Sequence, residues 1–184
     1  MNETLKNISD RYSCRDFAET PLTEEQIKIL VDAALAAPSA KNLQPWHLIV
    51  VTDKSLIDEL DADGMGLLAA EEDKSSYLRF MERGGKLFYN APFMLIILHD
   101  GSKWGVLDSG ILCQNVVLAA ESIGLGTCIV GMAGIPLTGP RGEAFKKRLK
   151  FPAGYEFAVG VIAGEILSGK EPHELDRSKV TYVE

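Results

Sequence analysis

The first clear period in the chain begins behind Thr23, where Ile27, Leu30, Val31, Ala34 and Leu35 recur at helical spacing. Thr23 followed by Gln26 has the form of a capping box, in which hydroxyl and amide each satisfy a backbone N–H at the helix start. The spacing predicts a helix from about Thr23 to Ala37, and Pro38 ends it because proline cannot continue the hydrogen-bond ladder. Pro38-Ser39-Ala40-Lys41-Asn42-Leu43-Gln44-Pro45-Trp46, with two prolines and several turn formers, reads as a loop. His47 to Thr52 is a β-branched run and reads as a buried strand. Asp53 to about Asp61 reads as a short helix, the glycine-containing segment through Gly66 as a loop, and Leu67 to Arg83 as another helix. Pro92 precedes Phe93 to Leu98, an unbroken apolar run of strand length, and His99-Asp100-Gly101 turns the chain.

From Val106 to Ile123 the sequence is apolar nearly all round, the pattern of a central core helix covered on most sides. Gly124 caps it, Leu125 to Val130 is strand-like, Arg141 to Lys150 is helical, and Glu156 to Ile166 alternates into a further strand. Helices and strands interleave without the strict order of a doubly wound sheet, and no internal repeat or low-complexity linker breaks the chain. This predicts a single α+β domain over residues 1–184. The polar tail from Ser168 to Glu184 has little apolar content and either hangs free or is ordered against something else, such as a second subunit.

The 184 residues suffice to bury a core without disulfides or structural metal. Apolar residues at 46% and charged residues at 24% are near the globular average. A net charge of −7 sets an overall field against nucleic acid. The densest basic run, Lys146, Lys147, Arg148 and Lys150, reads as a solvated helix face. Met1 to Asp10 is polar and mildly amphipathic and lacks the form of a secretory signal, and the apolar runs fall well short of the roughly 20 residues that cross a bilayer. A cytoplasmic protein is expected, with no membrane partner.

Cys14, Cys113 and Cys128 are an odd number at wide separations, suited to free thiols, and lack zinc spacing. Cys113 and Cys128 read as small core residues. Cys14 stands between Arg11 and Arg15, which can lower a thiol pKa, but no partner base is evident. Gly124-Leu125-Gly126 follows a helix where a dinucleotide fingerprint would open one, and Gly84-Gly85-Lys86 lacks the glycine and hydroxyl of a P-loop.

The cluster Arg11-Tyr12-Ser13-Cys14-Arg15 can converge two guanidinium groups and a hydroxyl on one anion, and Arg177-Ser178-Lys179 offers a second small basic group. Alone, either reads as surface charge. Together with other segments they fit a pattern. Arg11-Tyr12-Ser13-Cys14-Arg15-Asp16-Phe17 resembles R-x-S-x-R-x-F, and Ala37 to Trp46 resembles A-P-S-x-x-N-x-Q-P-W. Phe88-Tyr89-Asn90-Ala91-Pro92 stands before a strand. Asp108 leads through Gln114-Asn115 and Leu118-Ala119-Ala120 to Gly124-Leu125-Gly126-Thr127-Cys128. In this order, over most of residues 11–132, the motifs resemble the nitroreductase family of flavoproteins.

The resemblance implies a three-layer sandwich with a mixed, largely antiparallel sheet flanked by helices, and a C-terminal tail extending onto the partner of a homodimer. It implies that Arg11 and Ser13 contact an FMN phosphate while Arg15 reaches the pyrimidine side, with Tyr12 also among the cofactor-binding residues. Pro38, Ser39, Ala40 and Asn42 would line the flavin pocket from the partner subunit, the backbone N–H near Gly131 would face N5, and Arg177 and Lys179 would be a late phosphate-binding pair. NADH or NADPH would be the transient donor of hydride, and a nitroaromatic, quinone or similar molecule the acceptor. No catalytic side chain and no metal ligand is expected. A family member using reduced FMN for dehalogenation, alkene reduction or flavin fragmentation, a flavin-binding protein without turnover, and a domain without cofactor are the rival readings.

Overall fold

Every residue of strand β2, Phe93–His99, is buried, because alternate side chains enter two different cores. The computed structural model describes residues 2–183. The sheet comprises β1 (Trp46–Val51), β2, β3 (Gly126–Val130) and β4 (Glu156–Gly164) in the order β1-β2-β4-β3, with every ladder antiparallel. Phe93, Leu95 and Ile97 face a core built with Leu30 and Ala34 of α2 (Glu24–Leu35) and with Leu112, Val116 and Ala120 of α5 (Gly105–Ser122). Met94, Ile96 and Leu98 face a second core with Leu56, Ile57 and Leu60 of α3 (Lys54–Ala70) and Phe145 of α7 (Gly142–Arg148). Helix layers on both faces of one sheet make the expected three-layer α+β sandwich.

The capping box is present: Gln26 N donates to Thr23 Oγ1 at 3.2 Å and Thr23 N donates to Gln26 Oε1 at 2.9 Å. Between Asp53 and Arg83 the expected elements are wrong. Helix α3 runs unbroken through Gly64 and Gly66, and a separate helix α4 covers Ser75–Met81. The buried face Leu56, Ile57, Leu60, Asp61, Gly64, Met65 and Leu68 keeps helical period across the supposed loop. Gly64 marks a close approach rather than a turn, since a Cβ there would lie 2.4 Å from Leu87 Cδ1. Two short helices were not anticipated, α1 (Glu3–Asp10), capped by Asn2, and α6 (Ile135–Thr138).

Helix α5 also departs from expectation. Its sheet side is fully buried, but Val106, Leu107 and Ile111 remain 62%, 58% and 37% exposed. One chain therefore leaves an apolar stripe of its central helix uncovered. Among the described residues no helix is long and apolar enough to cross a membrane, and no group of His, Cys, Asp and Glu converges to hold a metal.

Candidate functional site

After α1 the chain becomes a strap along β3. Ser13 forms an isolated parallel bridge with Thr127, and Cys14 N donates to Thr127 O at 2.8 Å. The chain leaving β4 returns along the same strap, pairing Phe17 with Ile166. Gly126 permits this crossing, because a Cβ there would stand 2.7 Å from Ile166 and 2.9 Å from Cys14. Pinned this way, the strap sends Cys14 inward and Arg15 outward. Burial pushes the Cys14 thiol up, so the flanking arginines do not activate it as their sequence position suggested.

Arg11 and Tyr12 are half-buried, and the Tyr12 hydroxyl donates to Ser168 O at 3.4 Å. Arg11 lies close enough to the end of α5 to oppose the upward shift that burial gives Glu121. Arg15 turns the other way, into a pocket of about 270 Å³ that it shares with Gly131 at the end of β3. The strap and the β3 terminus, distant in sequence, thus meet at one opening. A Cβ added to Gly131 would touch nothing within 4 Å, so the space before it is free for another molecule. Burial pushes the Cys128 thiol up, and it stays neutral at this pocket's edge.

The same pocket contains side chains that the sequence reading missed. Arg79 and Phe80 of α4 and Arg83 just beyond that helix line it together with Leu87, Tyr89 and Met132, and the Phe80 and Tyr89 ring centroids lie 6.2 Å apart. A four-residue spacing between Arg79 and Arg83 was the available signal, since it sets both on one side of a helical turn. The helix expected over Leu67 to Arg83 already held both residues, but nothing in the local sequence placed them beside β3.

Pro38, Ser39, Ala40 and Asn42 form the loop after α2, tightened by a 3₁₀ turn over Ala40–Asn42. Lys41, Asn42 and Gln44 all have positive φ, at 54°, 56° and 49°. Three non-glycine residues in the left-handed region are costly and persist only where surrounding bonds fix them. Those bonds come from Ser39 Oγ, which accepts from Gln44 N at 2.9 Å, and from buried Asp108, which accepts from Ala40 N. Asn115 Nδ2 donates to Ala33 O at 3.1 Å and ties α2 to α5 in the same way. Of these two motif residues, Asp108 braces the loop and Asn115 the helix that leads into it.

Loop and strap stand at different ends of α5. Asp108 is in its first turn and Glu121 in its last, about 20 Å apart at roughly 1.5 Å of rise per residue. The structure brings Arg15 and Gly131 together and keeps the 38–42 loop apart from the strap's start. Arg177 and Lys179 lie on a 3₁₀ turn in the tail, where Lys179 approaches Asp176 at 3.9 Å and every residue from 173 to 183 is exposed. No described contact joins that pair to the strap.

Comparison with known proteins follows the same segments. Residues 8–164 match the Nitroreductase family, a span that includes strap, loop and pocket but not the tail pair. The chain is 35% identical over 131 residues to the NADPH-flavin oxidoreductase of Vibrio harveyi, covering 71% of this chain and 54% of that protein. It thus spans about half the length of that relative. Among solved structures, a nitroreductase with bound FMN from Desulfitobacterium hafniense superposes with a TM-score of 0.96 at 46% identity, covering 100% of both chains. An FMN-dependent nitroreductase from Clostridium difficile superposes at 0.83 with 28% identity, covering 99% of each.

Proposed function

The chain belongs to the nitroreductase family, and on that premise we propose that it is a cytoplasmic, homodimeric FMN-dependent NAD(P)H oxidoreductase that reduces a nitroaromatic, quinone or similar small acceptor. The observation that carries this reading is the meeting of Arg15 and Gly131 at one open pocket. Bound FMN supplies a site at N5 that takes hydride from NADH or NADPH and passes it on.

The donors present fit that group. Arg11 and Ser13 offer a guanidinium and a hydroxyl to a phosphate, Tyr12 ties the strap to Ser168, and Arg177 and Lys179 would add positive charge where the tail extends onto a partner copy. Arg15 would set a guanidinium beside the ring of a bound flavin, where positive charge would favour the reduced form. Gly131 leaves room for a ring to approach its backbone. Arg11 and Arg15 are hydrogen-bond donors only, so the chain supplies binding and orientation rather than a nucleophile.

A second copy completes the crevice in this reading. A volume of about 270 Å³ is small for a three-ring system, and no residue of the strained 38–42 loop lines it within one chain. In a dimer that buries the exposed apolar stripe of α5, Pro38, Ser39, Ala40 and Asn42 of one copy line the flavin site of the other. The test is anaerobic titration of the purified protein. Bleaching of its flavin absorbance by NADH or NADPH, and recovery on adding a nitroaromatic, is expected. Retained FMN that neither nucleotide bleaches contradicts turnover, and a colourless protein that takes up no FMN contradicts the cofactor.

A further inference from the structure

We propose that Arg79 and Arg83 make this pocket selective for aromatic acceptors that carry a carboxylate or comparable anionic group. The inference rests on the reading of the pocket as the substrate side of a flavin site. Three guanidinium groups, those of Arg15, Arg79 and Arg83, line it, and no acidic side chain does. In a chain with 26 acidic and 19 basic residues, such a cluster is not a consequence of composition.

Pairing elsewhere sharpens the contrast. Arg141 and Arg148 both meet Glu59, at 3.3 and 2.7 Å, and Arg141 also meets Asp63. Among the described residues none of the three pocket arginines forms an ion pair. Arg15 has a use beside the ring of the cofactor, but Arg79 and Arg83 have none in that reading. Their planar forks match a carboxylate in two-point fashion, and Phe80, Leu87 and Met132 supply the apolar wall against which an aromatic ring packs. A pocket lined in this way suits an anionic ring better than a neutral quinone or a cationic acceptor. The phosphate of a nicotinamide nucleotide is the other source of the same charge, and the experiment separates the two.

Isothermal titration calorimetry on the FMN-loaded protein compares benzoate with benzyl alcohol, in the wild type and in Arg79→Gln, Arg83→Gln and the double variant. Both substitutions fall at exposed positions, and thermal unfolding verifies that the three variants fold. Benzoate is expected to bind about tenfold or more tightly than benzyl alcohol, and each variant to lose most of that preference. KM for a nitroaromatic carboxylate should rise about tenfold in the variants, with that for its methyl ester unchanged. Equal binding of benzoate and benzyl alcohol, or benzoate binding indifferent to both arginines, overturns the proposal. So does a rise in KM for NADPH alone, which assigns the arginines to the nucleotide. Failure to take up FMN would instead sink the cofactor reading, and calorimetry on the flavin-free protein still reports whether the two arginines select benzoate.

Discussion

Asp108 and Ala40 stand 68 positions apart and are joined by a hydrogen bond from the Ala40 N–H to a buried carboxylate, at 3.2 Å to Oδ2 and 3.4 Å to Oδ1. This contact anchors the strained loop to the first turn of α5, so its loss acts on loop geometry before it acts on chemistry. Asp108→Ala is expected to cost about 1–3 kcal/mol of stability, the usual consequence of a stranded buried donor, and to weaken FMN binding. Asp108→Asn, which keeps one acceptor, should lie between. Urea unfolding and quenching of FMN fluorescence measure the two effects, and an unchanged FMN affinity in Asp108→Ala would refute the anchoring role.

Two glycines in one helix should respond oppositely to the same substitution. Gly66 is exposed, with nothing within 4 Å of an added Cβ, so Gly66→Ala should stabilise by about 0.5–1 kcal/mol through helix propensity. Gly64→Ala drives a methyl against fully buried Leu87 and should destabilise by about 1–3 kcal/mol. Paired thermal or urea melts decide this, and the reverse order would mean that α3 does not pack as described.

Much of this architecture was legible in the sequence, for identifiable reasons. Phe93 to Leu98 reads as a buried strand because both of its faces enter cores, and Thr23 with Gln26 marks a helix start because the bonds that cap it are local. Gly64 and Gly66 misled, since their purpose depends on Leu87, which the local sequence does not place beside them. The exposed stripe Val106, Leu107 and Ile111 read as core because apolar periodicity cannot distinguish burial within a chain from burial against another. For the candidate site, the strap and the loop were visible as motifs, whereas Arg79 and Arg83 acquire meaning only once α4 folds over the end of β3.

Burial pushes the Asp61 carboxyl above its ordinary value, and the bond it accepts from Phe88 N at 2.7 Å opposes that shift only in part. A carboxyl raised on folding holds its proton more tightly in the native state, so its contribution to stability grows as pH falls through the folded value toward the ordinary 3.8 and is lost as pH rises. Relative to Asp61→Asn, which cannot ionise, the wild type should gain stability on acidification between roughly pH 7 and pH 4. Urea midpoints across that range test the sign, and a relative loss on acidification would contradict it.

All three thiols are buried, and burial pushes Cys113 up to about 11 and raises Cys14 and Cys128 as well. The native protein should therefore resist an aromatic disulfide reagent at neutral pH, with all three cysteines reacting after unfolding. Rapid stoichiometric labelling of Cys14 in the folded state would show that the strap does not seal it.

The decisive measurement is subunit complementation between Arg11→Glu, which reverses charge on the strap, and Asn42→Asp, which alters the loop but tolerates positive φ. Each variant alone should fail to retain FMN. If strap and loop of different copies form each site, a mixed dimer places both lesions in one site and leaves the other intact, so mixing after mild dissociation should restore one tightly bound FMN per heterodimer. If mixed dimers form and bind no more FMN than either parent, the two segments do not meet across a subunit boundary and the shared-site account is wrong.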